Sequence, residues 1–228
     1  MCGRFTLTQS GETIARMFDL EEVPTIPPRY NIAPTQPIAV IRSSTPPGTQ
    51  QPEREFTYLT WGLVPSWAKD PGIGARMINA RAETVAEKPS FRAAFKRRRC
   101  LILADGFYEW QRSPEGKQPY YFHLNHHEPF AFGGLWEHWE NGNGDVIESC
   151  TILTTTANDV LTPVHDRMPV ILSPDGYDLW LDPTVETHQD LPTLLRPYAD
   201  DAMVRYPVSS TVNNPRHDRP ECIHPLED

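Results

Sequence analysis

The chain has 228 residues, 39% of them hydrophobic, and a formal net charge of −9. That length suits a single large domain with a substantial core, and the acidic balance argues against indiscriminate binding to nucleic acid while leaving room for a local basic groove. The longest apolar runs, such as Met168 to Leu172, are far too short to span a bilayer.

The N-terminus has no basic-then-apolar signal pattern, so a cytosolic protein is expected. Four dispersed cysteines (Cys2, Cys100, Cys150 and Cys222) with no C-x-x-C pair suggest neither a disulfide framework nor a zinc knuckle. The 24 prolines, roughly twice the usual share, imply many fixed turns and short elements. No G-x-G-x-x-G, P-loop or H-E-x-x-H is present, so neither a nucleotide cofactor nor a catalytic metal is expected.

The chain starts Met1-Cys2-Gly3-Arg4. Removal of Met1 would give Cys2 two nucleophiles on adjacent carbons, a thiol and an α-amine, with reference pKa values of about 8.5 and about 7.7–8.0. Such an aminothiol condenses with an aldehyde, first as an imine and then as a five-membered thiazolidine; an internal cysteine cannot, because its nitrogen is in an amide. An incidental Cys2 is the alternative at this point.

Phe5 to Thr8 alternates like a strand, and Ser10 is placed to cap a short helix with Ile14, Met17 and Phe18 on one face. Pro24 to Pro37 must run extended or turned; Ile38 to Ile41 reads as a strand and 43–54 as a surface loop. Phe56 to Val64 alternates into Trp61-Gly-Leu-Val-Pro-Ser-Trp67, whose aromatics suit either a core or a platform for unstacked bases. After the irregular segment Gly72 to Met77, Asn79 and Arg81 flank Ala80 and share a side if extended, a pairing suited to phosphate or sugar oxygens. Ser90 is placed to cap a helix bearing Phe91 and Phe95. Positive charge gathers at Arg76, Arg81, Arg92 and Lys96 to Arg99, the last run reading either as a solvated helix C-terminus or as part of a basic groove.

Cys100 to Ala104 has the length and composition of a buried strand and leads to Glu109, between Tyr108 and Trp110. A carboxyl there either faces solvent or, if buried, acquires a raised pKa suited to general acid/base work. Pro114 to Gly116 reads as a hairpin turn into Tyr120 to Leu124; His123, His126 and His127 read as an exposed turn rather than a zinc site. Phe130 to Trp139 and Glu148 to Thr156 read as strands joined across Asn141 to Gly144. Asn158 or Asp159 caps a turn leading to His165, held between Pro163 and Pro169 beside Asp166 and Arg167; the imidazole is either structural or functional. Met168 to Leu172 and Val204 to Val208 read as strands, and short helices are expected after Ser173 and over His188 to Tyr198.

These elements predict an α+β fold, a mixed, largely antiparallel sheet or partly closed β-barrel flanked by short helices. One domain is expected over 1–228, with an acidic tail over about 216–228.

Met1-Cys2-Gly3-Arg4-Phe5, Tyr30-Asn-Ile-Ala-Pro-Thr35, Trp61 to Trp67, Asn79-Ala-Arg-Ala-Glu-Thr84, Gly106-Phe-Tyr-Glu-Trp110, His165-Asp-Arg-Met-Pro-Val170 and Val212-Asn-Asn-Pro215 occur in that order. Together they resemble the SRAP (SOS response-associated peptidase) family of abasic-site processing proteins, in its compact bacterial form. The resemblance implies a protein that covalently traps abasic sites in single-stranded DNA as part of a DNA damage response. It implies Cys2 as nucleophile, Asn79 as the residue sensing the abasic sugar, Glu109 as the proton-transfer group and His165 as the residue stabilising the linkage. Arg4, Arg81 and Arg167 would contact phosphates, and Trp67 with Pro34 would wedge against flanking bases. A monomer, nucleoid-associated when engaged on DNA, is expected, with strand-cleaving lyase chemistry as a side reaction and with Met1 removed either by a thiol autopeptidase activity or by a host methionine aminopeptidase. Two other readings stand beside it: an N-terminal-nucleophile thiol hydrolase acting on peptides through Cys2 and His165, and a non-covalent single-strand binder built on Trp61, Trp67 and the arginines.

Overall fold

A computed structural model describes residues 2–45, 52–114, 116–185 and 191–226. Helix α1 (Gly11–Phe18) follows strand β1 (Phe5–Leu7); Ser10 caps it by accepting the Thr13 amide, and Ile14 and Phe18 are buried as the spacing predicts. Strands β2 (Arg29–Ile32), β3 (Pro37–Ser44), β4 (Glu53–Trp61) and β5 (Asn79–Arg81) precede helix α2 (Arg92–Arg97). Then come β6 (Arg99–Ala104), β7 (Gly106–Ser113), β8 (Gly116–Leu124), β9 (Phe130–Glu140), β10 (Val146–Thr156), β11 (Arg167–Pro169) and β12 (Ile171–Leu172). Helices α3 (Tyr177–Leu181) and α4 (Leu191–Leu194) lead to β13 (Met203–Pro207).

The architecture is the predicted α+β fold, and its barrel is closed. Strand β10 pairs antiparallel with β9 and, along its other edge, parallel with β4 through Ser149↔Thr60 and Cys150↔Trp61. Since β4–β3, β3–β6 and β6–β9 are all antiparallel pairs, five strands form one mixed ring. Strand β5 continues the parallel edge of β10 from Ile152↔Asn79 to Thr154↔Arg81. The other sheet is wholly antiparallel in the order β13–β8–β7–β1–β2.

Phe5 joins sheet to barrel, edge-on to Trp61 at 5.2 Å and to Phe132 at 5.7 Å. Such edge-to-face contacts add about 0.5–1.5 kcal/mol each beyond area burial. The barrel core includes Cys100, Ile102, Phe132, Cys150 and Ile152, all fully buried, and the four cysteines are free thiols. No described helix is long and apolar enough to cross a membrane.

Several local expectations change. Strands β3 and β4 reach Ser44 and Glu53, which shortens the loop expected over 43–54; residues 46–51 of it lie outside those described. Ser90 does not cap α2: the helix starts after Phe91, and the Lys88 carbonyl takes the Phe91 and Arg92 amides instead. The helix expected over His188 to Tyr198 is one turn, Leu191–Leu194, with 186–190 outside the described residues; Pro197 disfavours helical backbone at Arg196. Residue 115 of the β7–β8 turn also lies outside them.

Arg99 is not part of a solvated helix end but the first residue of β6, 3% exposed. His123 is buried on β8 and stacks on His127 at 3.9 Å, so only His126 and His127 form the exposed turn. Residues 216–226 fold back over β2: Asp218 accepts the Tyr30 and Asn31 amides, and Cys222 is fully buried.

Candidate active site

The segment before β1 is drawn into the sheet by its backbone. The Arg4 carbonyl accepts the Tyr108 amide at 2.9 Å, extending the β1–β7 pairing towards the N-terminus. The Cys2 carbonyl accepts Asn79 Nδ2 at 2.7 Å, which ties this segment to the start of β5. Asn79 is held in turn by the parallel pairing of β5 with β10, and the Ile78 carbonyl beside it accepts Trp61 Nε1 at 2.9 Å. Trp61 is fully buried and therefore a core residue that positions β5.

Cys2 is 0% exposed, and burial pushes its thiol pKa well above the usual range, with the Glu109 charge adding to the shift. Its Sγ lies 3.9 Å from the Arg4 carbonyl oxygen. Glu109, on β7, is 3% exposed, and desolvation raises its pKa. The Oδ1 of Asn79 is buried without a hydrogen-bond partner among the described residues.

His165 is carried by a turn that Asn158 nucleates, accepting the Leu161 amide at 3.0 Å through Oδ1, and the His165 amide returns to the Leu161 carbonyl. Gln111 of β7 donates to the Pro163 carbonyl at 2.9 Å and so ties this loop to the strand that carries Glu109. Nδ1 of His165 lies 3.0 Å from both the Arg167 amide and Asp166 Oδ1. These two contacts need opposite protonation of Nδ1. The amide is fixed backbone and the Asp166 side chain is 88% exposed, so we assign Nδ1 as acceptor from Arg167, which leaves the proton of the neutral ring on Nε2.

A cleft of about 750 Å³ is lined by Arg4, Arg81, Glu109, Trp110, His165 and Arg167, together with Arg112, Lys117, Asp166 and Asn213, while Cys2 and Asn79 are not among its lining residues. Two of its expected phosphate contacts are engaged inside the protein. Arg4 donates through Nη1 to Asn31 Oδ1 and to the Val212 carbonyl, both at 2.8 Å. Arg167 makes a bidentate pair with Glu83 at 2.6 and 2.9 Å and also donates to the Thr154 carbonyl. Arg81 is exposed on β5.

Pro34 and Trp67 are not among the residues lining this cleft. Trp67 is nonetheless 58% exposed, on a turn held by Trp139 Nε1 donating to the Ala68 carbonyl. Asn213 was not singled out from the sequence; its Oδ1 accepts Trp110 Nε1 at 2.7 Å, and its place in the Val212-Asn-Asn-Pro215 motif was the available signal. Arg112 and Lys117 were also missed, although both flank the recognisable Pro114 turn. No group of three or more described His, Cys, Asp or Glu side chains could hold a metal ion. A second cleft, about 730 Å³, is lined by Asp19, Glu21, Glu22, Glu53 and Asp178 among others and contains none of the expected residues.

Comparison with known proteins gives this geometry a context. The chain is 44% identical to the abasic site processing protein YoqW of Bacillus subtilis, over 98% of this chain and 99% of that protein. It is 42% identical to YoaM of the same organism, named likewise, over 98% and 97%. It is 33% identical to the abasic site processing protein HMCES of Xenopus tropicalis, over 86% of this chain and 65% of that one. A crystal structure of a protein from Bacteroides thetaiotaomicron shares the fold with a TM-score of 0.87 at 23% identity, covering 99% of this chain and 100% of that one. A phage-related protein from Bordetella bronchiseptica superposes with a TM-score of 0.70 at 29% identity, covering 91% and 94%. Residues 1–215 match the family described as SOS response associated peptidase (SRAP), and the chain belongs to that family.

Proposed function

We propose that this chain processes abasic sites by capturing them covalently in single-stranded DNA through Cys2, after removal of Met1. The observation that carries the reading is a dry Glu109 whose charge acts on the Cys2 thiol, with the Cys2 carbonyl tied to Asn79 and with Glu109 and His165 lining one cleft.

In this reaction the Cys2 amine adds to the C1′ aldehyde of the ring-opened sugar, and the resulting carbinolamine loses water to give an imine. Sγ then adds to the imine carbon while the thiol proton passes to the nitrogen, closing a thiazolidine. The departing hydroxyl needs an acid and the thiol needs a base. Glu109, whose pKa is raised towards the working pH, can serve both steps in turn. The acceptor at Asn79 Oδ1 suits a sugar hydroxyl. The burial of Cys2 keeps bulk water from the imine before the thiol closes on it. An imine that lingers would permit elimination of the 3′ phosphate, which is the lyase side reaction.

The test is a denaturing gel of the Met1-free protein with a single strand carrying one abasic site. We expect a heat-stable adduct that Cys2→Ala abolishes. No adduct from the parent, or an adduct retained by Cys2→Ala, refutes the reading.

A further inference from the structure

Resting on that reading, we propose that Arg112 and Lys117 form a phosphate clamp at the end of the β7–β8 hairpin that grips the nucleic-acid backbone to one side of the captured sugar. The two residues are directly opposed in the hairpin register, and both are exposed. Like charges facing each other across an antiparallel pair repel and cost stability. Neither side chain has a hydrogen-bond or carboxylate partner among the described residues. A bound anion would turn this repulsion into a two-cation site.

The clamp belongs to the cleft that contains Glu109 and His165. Arg112 is three residues along β7 from Glu109, or about 10 Å at the usual strand rise, so it reaches backbone beyond the lesion rather than the lesion itself. Trp110 lies between them in the strand. Asn213 fixes its indole, and the Arg4 guanidinium sits 5.9 Å from its ring centroid, so the intervening floor is rigid.

The other cations of the cleft sharpen the assignment. Arg167 engages both terminal nitrogens with Glu83 and Thr154, and Arg4 commits Nη1 to Asn31 and Val212. That leaves Arg81 and the Arg112–Lys117 pair, all exposed, as the lining cations most available to phosphates. In a chain of net charge −9, these few cations set the path of a single strand.

The test measures adduct formation on a short single strand with one abasic site, across a salt series, for the parent and for the double variant Arg112→Ala, Lys117→Ala. Each phosphate contact to a single strand contributes about 0.7 to the log–log salt slope, so the variant's slope should be shallower by about 1.4, with a second-order capture rate about tenfold lower at low salt. The first-order rate at saturating DNA should be unchanged, because the clamp does not touch the reacting atoms. The charge-preserving pair Arg112→Lys, Lys117→Arg should behave like the parent. Strands trimmed from the side that the clamp holds should bring the parent down to the double variant's rate. An adduct-forming double variant with the parent's slope and rate overturns the clamp. A parent that forms no adduct at all strikes instead at the capture reading, and this shows before any variant is compared.

Discussion

Glu109 is a carboxyl with little water around it, and its chemistry follows from that. Burial raises its pKa, so the carboxylate that would accept the thiol proton in the proposed capture is lost on acidification above the ordinary Glu value of about 4.3. Capture should therefore fall as pH drops through this raised value. Glu109→Gln should remove that limb of the profile and slow capture by about 10²- to 10⁴-fold, the usual share of general acid–base catalysis; stopped-flow or quenched gels across pH decide it. Stability should move in the opposite sense. A carboxyl with a raised folded pKa opposes folding once pH exceeds its unfolded value, and does so fully above the folded one. Glu109→Gln should thus melt above the parent at neutral pH, with the gap closing as pH falls towards 4; a gap constant with pH would contradict this origin. The sequence showed Glu109 between two aromatics but could not distinguish a solvated face from a dry one. Nor could it show that Arg4 and Arg167 are engaged internally, because Asn31, Val212 and Glu83 are brought to them only by the fold.

Hairpins and the helix capped by Ser10 were readable because their determinants are local: Ser10 lies beside α1, and the Asn141 to Gly144 turn lies between β9 and β10. The Trp61 to Trp67 segment was ambiguous because one motif serves two environments, Trp61 fully buried and Trp67 58% exposed. Trp67→Ala should leave the melting temperature nearly unchanged yet weaken single-strand binding by about 1–3 kcal/mol, the value of one base stacked on an aromatic ring; fluorescence anisotropy with an intact strand measures it. The basic run Lys96 to Arg99 was misread at its end because four adjacent cations look alike until a strand begins among them. Arg99 turns inwards and donates to the Phe95, Lys96, Trp180 and Asp182 carbonyls, joining the ends of α2 and α3 to the barrel. A lysine there offers one nitrogen in place of three and leaves buried carbonyls without donors. Arg99→Lys should cost about 1–3 kcal/mol and Arg99→Met more, read as shifts in urea midpoint at unchanged m-value.

Barrel closure was the part of the fold hardest to see from the sequence. It depends on a parallel pairing of Ser149 with Thr60 and Cys150 with Trp61, between segments far apart in the chain. That pairing also aligns β5, and with it Asn79, against the segment carrying Cys2, so the site exists only once the ring has closed. The assembled molecule presents few available cations in its cleft against a net charge of −9. Reversible attraction to a single strand must then be weak and sensitive to salt, whereas a thiazolidine, once closed, is indifferent to ionic strength. The two phases should separate cleanly. With intact single strands, or with Cys2→Ala on abasic strands, retention should fall steeply as salt rises, roughly tenfold or more between 50 and 200 mM for several phosphate contacts. With the Met1-free parent on abasic strands, raising the salt before mixing should slow capture in proportion to that loss of encounter. Raising it afterwards should release nothing. A chase with high salt on a filter or gel distinguishes these cases, and release of the parent by salt after mixing would mean that the site holds its lesion without a covalent bond.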